Sequence, residues 1–149
     1  MARKPRRIGI LTGGGDCPGL NAVIRSVVKS ARREGIEIVG LLDGYFGLME
    51  DLTRPLDYDD VSGILSQGGT ILGSSNKDNP FRFATLQPNG RITYRDRSAD
   101  CLATLRRHGL EALVVLGGDG TMTVATKLAA KGVRVVGVPK TIDNDLVGN

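Results

Sequence analysis

The sequence predicts a doubly wound α/β fold, in which helices cover both faces of a mostly parallel β-sheet. Two features carry this prediction: short, nearly continuous apolar runs alternate with segments of helical periodicity, and glycine-rich loops follow several of the runs. A chain of 149 residues with 40% hydrophobic content suits one three-layer, Rossmann-like domain with a core of its own.

The first half of the chain begins with a β-branched run that enters a glycine loop, which is typical of a strand. Apolar residues then recur at helical spacing until a glycine stops the pattern, and a second apolar run follows. The predicted elements are a strand at 7–12, a helix between Pro18 and Gly35, a strand at 36–42, a loop at 43–45 and a short helix around 57–65.

The second half opens with a polar, turn-rich stretch in which Pro88-Asn89-Gly90 resembles the tip of a hairpin. Ser98 is expected to cap the next helix, and His108 to lie at its C-terminus, where the helix dipole favours a cation. The predicted elements are hairpin strands at 84–86 and 91–94, a helix at 98–108, a strand at 110–116, a helix ending at 131 and a strand at 133–138.

Composition excludes several classes of protein. The formal net charge is +4, but the basic residues at 3–7 are not interleaved with aromatic ones, so we expect a solvated tail and no nucleic-acid partner. No apolar run approaches the ~20 residues that span a bilayer, and no secretory signal follows the basic start. Cys17 and Cys101 suggest neither a disulfide nor a metal site, so we expect a cytoplasmic protein without membrane contact.

Three loops are expected at one edge of the sheet, because ligands of doubly wound sheets bind beyond the carboxyl ends of the strands. The spacing of the first loop matches neither the dinucleotide fingerprint nor the P-loop, so phosphate binding and a simple strand-to-helix turn both stay open. The loops are TGGGDCPGLN at 12–21, GGDGT at 117–121 and PKTIDND at 139–145.

Two of these loops carry carboxylates. Asp119 would face any phosphate bound to its loop, which favours a Mg²⁺ ion between them, although an aspartate at a helix start is also a common cap. In the third loop Asp143 and Asp145 flank an amide, which suits removal of a hydroxyl proton. Together the loops favour phosphoryl transfer, in which donor and acceptor are positioned and charge is neutralised.

The motifs TGGGDCPGLNAVIR, DGYFGL, GGTILGSS, GGDGT and PKTIDND occur in the order and approximate spacing of the phosphofructokinase family, which the chain resembles over 7–149. The resemblance implies that residues 1–149 are the N-terminal, donor-binding lobe of a two-lobed kinase, whose second, substrate lobe is absent from this chain. It implies transfer from ATP, with Mg²⁺, to the C1 hydroxyl of fructose 6-phosphate. A homo-oligomer, dimer or tetramer, is implied for the full-length protein.

The resemblance also implies roles for individual residues. Asp143 would be the base for the C1 hydroxyl, Asp145 would support it, and Asp119 would serve Mg²⁺. Asn76 replaces an arginine that contacts the transferring phosphate in familiar ATP enzymes, and Lys77 would supply that charge. The implied donor-binding residues are Gly15, Tyr45, Asn76, Lys77, Gly118, Asp119, Gly120 and Thr121, and the implied substrate contacts are Thr141, Ile142 and Asp143.

Two positions resemble those that determine, in the family, whether ATP or pyrophosphate is the phosphoryl donor. Pyrophosphate users resemble GGDD with PKTIDND, and common bacterial ATP users resemble GGDG with PGTIDND, whereas this chain combines Gly120 with Lys140. Gly120 leaves room for the α-phosphate and nucleoside, so we expect ATP as the donor and keep pyrophosphate as the alternative. The motifs leave two further functions open: an NAD or lipid kinase that uses GGDGT, and a nucleotide-binding module without turnover.

Overall fold

The structure is a computed structural model that describes residues 3–141. Its helices and strands follow the alternation that the sequence predicts, with two short additions. The strands are β1 Arg7–Thr12, β2 Glu37–Leu41, β3 Thr53–Leu56, β4 Phe83–Leu86, β5 Ile92–Arg95, β6 Ala112–Gly117 and β7 Val135–Pro139; the helices are α1 Leu20–Arg33, α2 Tyr45–Glu50, α3 Ser98–Arg107 and α4 Asp119–Ala130, with one 3₁₀ turn at Asp59–Val61.

Five strands form one sheet in the order β3-β2-β1-β6-β7. All neighbouring pairs are parallel except β2 and β3, and the β1–β6 register runs from Ile8 opposite Ala112 to Thr12 opposite Leu116. The chain winds outwards from β1 first through β2 and later through β6, so the winding direction reverses between β1 and β6. A reversal of this kind opens a crevice at the carboxyl ends of the two strands.

Side chains of the sheet alternate between two apolar clusters, and helices cover both. One face packs against α1, for example through Ile10 with Ile24, and the opposite face packs against α2, α3 and α4, for example through Leu113 with Leu128. The side chains of these four residues are fully buried. The predicted three-layer α/β architecture is therefore confirmed.

The segment from 43 to 65 differs from the prediction. The expected loop at 43–45 leads directly into α2, the expected helix around 57–65 is reduced to a single 3₁₀ turn, and β3 was not predicted. These elements are too short for periodicity to define. β3 alternates poorly because it is an edge strand in which Leu56 is buried while Arg54 and Pro55 are exposed.

The start of α3 also differs from the prediction. Ser98 is the first helical residue rather than the cap, and the side chain of Asp96 accepts a hydrogen bond from the Ser98 N–H at 2.8 Å. His108 does end α3, as predicted, and its Nε2 lies 2.5 Å from Oδ1 of Asp51. The hydrogen bond with His108 lowers the pKa of Asp51, and Arg107 contacts the same carboxylate. These contacts fix the end of α2 against α3.

The predicted hairpin is confirmed as a separate two-stranded antiparallel sheet of β4 and β5. Phe83, on the inner face of this hairpin, packs against the apolar cluster that α2, α3 and α4 form on one face of the main sheet, here called the helical cluster. The Arg97 guanidinium lies 5.1 Å from the centre of the Phe83 ring. Leu86, Ile92 and Tyr94 are exposed on the other face.

The two outer strands of the main sheet differ in character. β3 carries Pro55, which has no N–H to offer, at an internal position. β7 is apolar, has a proline only at its last position, Pro139, and pairs with β6 alone within residues 3–141. Val136 in β7 is 58% exposed. Within the same residues, no helix is both long and apolar enough to cross a bilayer.

Candidate active site

A cavity of about 340 Å³ opens at the carboxyl ends of β1 and β6, where the winding direction reverses. The loops after β1, β6 and β7 contribute to its wall, together with the first turns of α2 and α4 and the segment 75–79. Seven of the residues singled out from the sequence line it: Gly15, Tyr45, Asn76, Gly118, Gly120, Thr121 and Lys140.

The remaining predicted residues lie elsewhere. Lys77 is exposed beside the wall, and its N–H donates to Oγ of Ser75 at 3.3 Å. Thr141 lines a neighbouring cavity of about 270 Å³, which shares Lys140 with the first. Ile142, Asp143 and Asp145 lie outside the described residues.

The first glycine loop turns sharply at the end of β1. Gly14 has a φ of 77°, which favours glycine, and its N–H donates to the Ser75 carbonyl at 3.1 Å. Gly15 is exposed, and a Cβ atom placed on it would meet nothing within 4 Å. The backbone at Gly15 therefore faces open space in which a ligand can approach closely.

Lys140 joins the loop after β7 to the other two. Its N–H donates to the Gly117 carbonyl at 2.9 Å, and its ammonium donates to the Gly15 carbonyl. A positive charge therefore lies between two glycine loops whose backbones can approach an anion. Since phosphate sites combine exposed backbone with a positive charge, this end of the cavity suits phosphate groups.

The side chain of Thr121 is wedged between the two glycine loops and is 8% exposed. A Cβ atom on Gly13 would lie 2.7 Å from Oγ1 of Thr121, and one on Gly117 would lie 2.5 Å from its Cβ. Any larger residue at either glycine would therefore displace Thr121. The two glycines are needed to hold the loops together, whatever ligand the cavity takes.

This wedge predicts an energetic coupling between Gly13 and Thr121. Gly13→Ala should lower the free energy of unfolding by about 1–3 kcal/mol, because the new methyl group would overlap Oγ1 and Cγ2 of Thr121. In a Thr121→Ala background both atoms are gone, so adding Gly13→Ala should cost less than about 1 kcal/mol. Chemical denaturation followed by circular dichroism measures the four variants of the cycle.

Gly117→Ala provides the matched control for this cycle. Its methyl group would lie 2.5 Å from the Cβ of Thr121, which an alanine at position 121 retains. Thr121→Ala should therefore not relieve the cost of Gly117→Ala. If the losses in unfolding free energy for Gly13→Ala and Thr121→Ala add up in the double variant, the two residues are not coupled. That result would contradict the proposed steric contact between Gly13 and Thr121.

Tyr45 supports the first turn of α4. Its ring lines the cavity, but the residue is only 4% exposed, and its hydroxyl donates to the Thr121 carbonyl at 2.8 Å. Burial raises the pKa of this hydroxyl, so it stays a neutral donor. Tyr45 therefore links the start of α2 to the first turn of α4.

Two motif residues with no predicted role organise the segment before the cavity wall. Oγ1 of Thr12 lies 2.7 Å from the Gly73 carbonyl, and the Asn21 side chain accepts from the Ile71 N–H at 2.8 Å and donates to the Gly68 carbonyl at 3.2 Å. Both side chains are at least 98% buried. They hold the GGTILGSS segment against β1 and α1, which brings Ser75 and the residues after it into the wall.

Sequence reasoning missed five lining residues: Gly14, Ser75, Asp78, Asn79 and Val124. Ser75 belongs to a motif that was recognised, and Val124 lies one helical turn beyond Gly120 and Thr121, so both carried a usable signal. Asp78 and Asn79 carried none, because their placement depends on contacts with remote parts of the chain.

Asp119 is the candidate residue for binding magnesium. It is exposed as the first residue of α4, between Gly118 and Gly120 of the cavity wall, and Gly118 rather than Asp119 occupies the N-cap. Within residues 3–141, no three His, Cys, Asp or Glu side chains group as a metal cluster. Mg²⁺ typically takes one or two carboxylates plus substrate phosphates, so a single exposed carboxylate beside a phosphate cavity fits it.

Comparison with known proteins gives consistent matches. The family model described as Phosphofructokinase matches residues 7–149. ATP-dependent 6-phosphofructokinase 2 of Clostridium perfringens is 53% identical over 99% of this chain and 40% of its own length, and ATP-dependent 6-phosphofructokinase 1 of Synechocystis is 48% identical over 95% and 39%. The chain thus spans about two fifths of the length of these curated relatives.

A solved structure is similar throughout the chain. The T-state crystal structure of Pichia pastoris phosphofructokinase superposes with a TM-score of 0.81 at 30% sequence identity, covering 99% of this chain and 16% of that one.

Proposed function

The chain belongs to the phosphofructokinase family, and from that membership we propose that the full-length protein transfers the γ-phosphoryl group of ATP to the C1 hydroxyl of fructose 6-phosphate. The observation that carries the proposal is the meeting of three strand-end loops around one cavity, with Lys140 bound to the Gly15 carbonyl between them. An NAD kinase or a lipid kinase is not favoured, because the matches are to phosphofructokinases over nearly the whole chain.

The donor binds with its phosphates at the glycine end of the cavity. Gly15 and Gly120 have open space above their backbones, and Lys140 supplies the positive charge. Magnesium, when bound beside Asp119, supplies neutralisation of the charge on the donor phosphates. ATP is the proposed donor because Gly120 leaves room for the α-phosphate and nucleoside, and because the matched curated relatives are named ATP-dependent.

The acceptor is proposed to bind at the loop after β7, where Thr141 follows Lys140 of the donor cavity. Asp143 takes the proton from the C1 hydroxyl, Asp145 supports it, and Thr141 and Ile142 contact the sugar phosphate. The C1 oxygen then forms a bond to the γ-phosphorus while the bond from that phosphorus to the β-γ bridging oxygen breaks, which leaves ADP.

The chain supplies the donor-binding lobe in this proposal, with residues 1–149 as one domain. A second lobe, in the part of the relatives that this chain does not span, would hold most of the sugar phosphate. From the family membership we also propose a homo-oligomer in the cytoplasm.

A turnover assay tests the proposal directly. The full-length protein should form ADP from Mg·ATP when fructose 6-phosphate is added, and should not do so with NAD or diacylglycerol. ATP binding without turnover on fructose 6-phosphate would instead favour a binding-only module, and faster turnover with pyrophosphate than with ATP would overturn the donor assignment.

Asp119 provides a test of the metal. Asp119→Ala should weaken Mg·ATP binding and lower turnover together by about 10- to 100-fold, because a charged interaction with the ion is lost. The KM for fructose 6-phosphate should change little. Titration of Mg²⁺ at fixed ATP measures the effect.

Asp119→Asn is the matched control for this variant, since it keeps the shape of the side chain and removes the charge. It should behave as Asp119→Ala does. An unchanged magnesium dependence in both variants would leave Asp119 with a role only at the start of α4.

A further inference from the structure

Among the residues of 3–141 that line the cavity, Asp78 is the one whose charge opposes the binding of phosphate. Among the described lining residues, the charged ones are Asp78 and Lys140. Lys140 lies at the phosphate end, beside Gly14 and Gly15. A carboxylate in the same cavity is unfavourable to phosphates unless it faces a different part of the ligand.

The segment that carries Asp78 is held at both ends. At one end the Ser75 carbonyl accepts the Gly14 N–H at 3.1 Å, and at the other the Pro80 carbonyl accepts the Arg97 N–H at 2.6 Å. Oδ1 of Asn79 accepts the N–H of Phe81 at 2.9 Å, and the Phe81 ring packs against the helical cluster. Asp78 is therefore placed by fixed neighbours on both sides.

The Asp78 carboxylate itself forms no hydrogen bond or ion pair with any residue of 3–141, although the residue is only partly exposed. The neighbouring Asn79 uses its side-chain oxygen within the protein, so the two residues differ in this respect. An acceptor that lines a cavity and is not used by the protein is available to donors on a ligand.

The distance along the chain indicates which donors are within reach. Ser75 contacts the glycine loop at the phosphate end, and Asp78 lies three residues further on, at most about 10 Å away along an extended chain. In a nucleoside triphosphate the ribose follows directly after the α-phosphate. Carboxylates that bind ribose hydroxyls are common where nucleotides lie on doubly wound sheets.

We propose that Asp78 is a donor-specificity residue that accepts hydrogen bonds from the ribose hydroxyls of the nucleoside triphosphate. The proposal rests on the function proposed above, which places ATP in this cavity, and adds the residue that recognises its sugar. Val124 of α4 lines the same cavity and provides an apolar contact for the adenine ring of the nucleotide. Pyrophosphate has no ribose and therefore cannot form these hydrogen bonds. Asp78 thus favours the binding of ATP over that of pyrophosphate.

The test compares ATP with 2′,3′-dideoxy-ATP in the full-length protein. Wild type should bind the dideoxy nucleotide about tenfold or more weakly, since hydrogen bonds to a carboxylate are lost. Asp78→Ala should weaken ATP by a similar factor and leave the dideoxy nucleotide nearly unchanged, so that the ratio of the two dissociation constants approaches one. Asp59→Ala, which removes an exposed carboxylate of the 3₁₀ turn outside the cavity wall, should keep the wild-type ratio.

Several results would overturn the proposal. If the wild-type protein binds ATP and the dideoxy nucleotide with nearly equal dissociation constants, the proposal is wrong. It is also wrong if Asp78→Ala leaves the ratio of the two dissociation constants unchanged. Equal weakening of both nucleotides with a higher magnesium requirement would assign Asp78 to the metal instead. Asp78→Asn, which retains one acceptor oxygen, should give an intermediate ratio. These experiments measure nucleotide binding and do not depend on turnover. A full-length protein that does not phosphorylate fructose 6-phosphate would contradict the proposed reaction, while the binding data would still test the ribose contact.

Discussion

Gly120→Asp is expected to lower kcat/KM for ATP by roughly several hundred-fold and to move the donor preference towards pyrophosphate. A Cβ atom at position 120 would meet nothing within 4 Å, and the glycine has no left-handed φ, so the new side chain fits without displacing its neighbours. The variant therefore changes the cavity and leaves the fold unchanged.

The size of the effect follows from charge. A carboxylate at position 120 would stand close to the α-phosphate, and two unit charges ~4 Å apart cost on the order of 4 kcal/mol at an effective dielectric constant of ~20. Each 1.4 kcal/mol is about tenfold in affinity. Pyrophosphate has no nucleoside to accommodate, and Lys140 would remain as its counter-charge.

Gly120→Asn separates the charge from the size of the side chain. It has nearly the same shape as aspartate and should keep most of the ATP activity. Measurement of kcat/KM with both donors in the parent and the two variants decides the matter. A parent that uses pyrophosphate better than ATP would mean that Lys140 outweighs Gly120, and equal losses in the two variants would mean that bulk rather than charge selects the donor.

Asp143→Asn is expected to lower kcat by about 10²–10⁴-fold in the full-length protein, the usual contribution of a positioned general base. Asp143 follows Lys140 by three positions in the sequence, and the backbone N–H of Lys140 donates to the Gly117 carbonyl. ATP binding should change little, because Asp143 is proposed to act on the acceptor.

The control is the dissociation constant of Mg·ATP, which should stay close to the parent value while kcat falls. A kcat within a few-fold of the parent would remove Asp143 from the role of base. A parallel loss of ATP affinity would indicate that the substitution disturbs the donor cavity through Lys140.

The sequence predicted the long elements because each has enough residues to show a period. β1 was predicted with its observed bounds, and α1, α3 and α4 to within a few residues. α2 and β3 were missed because they are short and depend on partners elsewhere: Tyr45 is buried by α4, and Leu56 by the pairing of β3 with β2.

Prediction of the candidate site shows the same division. The glycines and Lys140 were recognised because their motifs are local, and the structure brings them to one cavity. The wedge of Thr121 and the buried hydrogen bonds of Thr12 and Asn21 could not be predicted, since each joins segments far apart in the chain. The position of Asp78 in the wall likewise depends on hydrogen bonds between remote segments, from Gly14 to Ser75 and from Arg97 to Pro80.

The outer side of β7 has a consequence for handling the chain in solution. Its backbone donors and acceptors on that side have no partner strand within residues 3–141, and Val136 is exposed beside them. Proline and inward-pointing charge protect such edges in other proteins; here Pro55 lies within the opposite edge strand, whereas Pro139 stands only at the last position of β7 and leaves residues 135–138 without such protection. When this chain is produced by itself, concentration should therefore govern its solubility, with strand addition at β7 as the route to insoluble material.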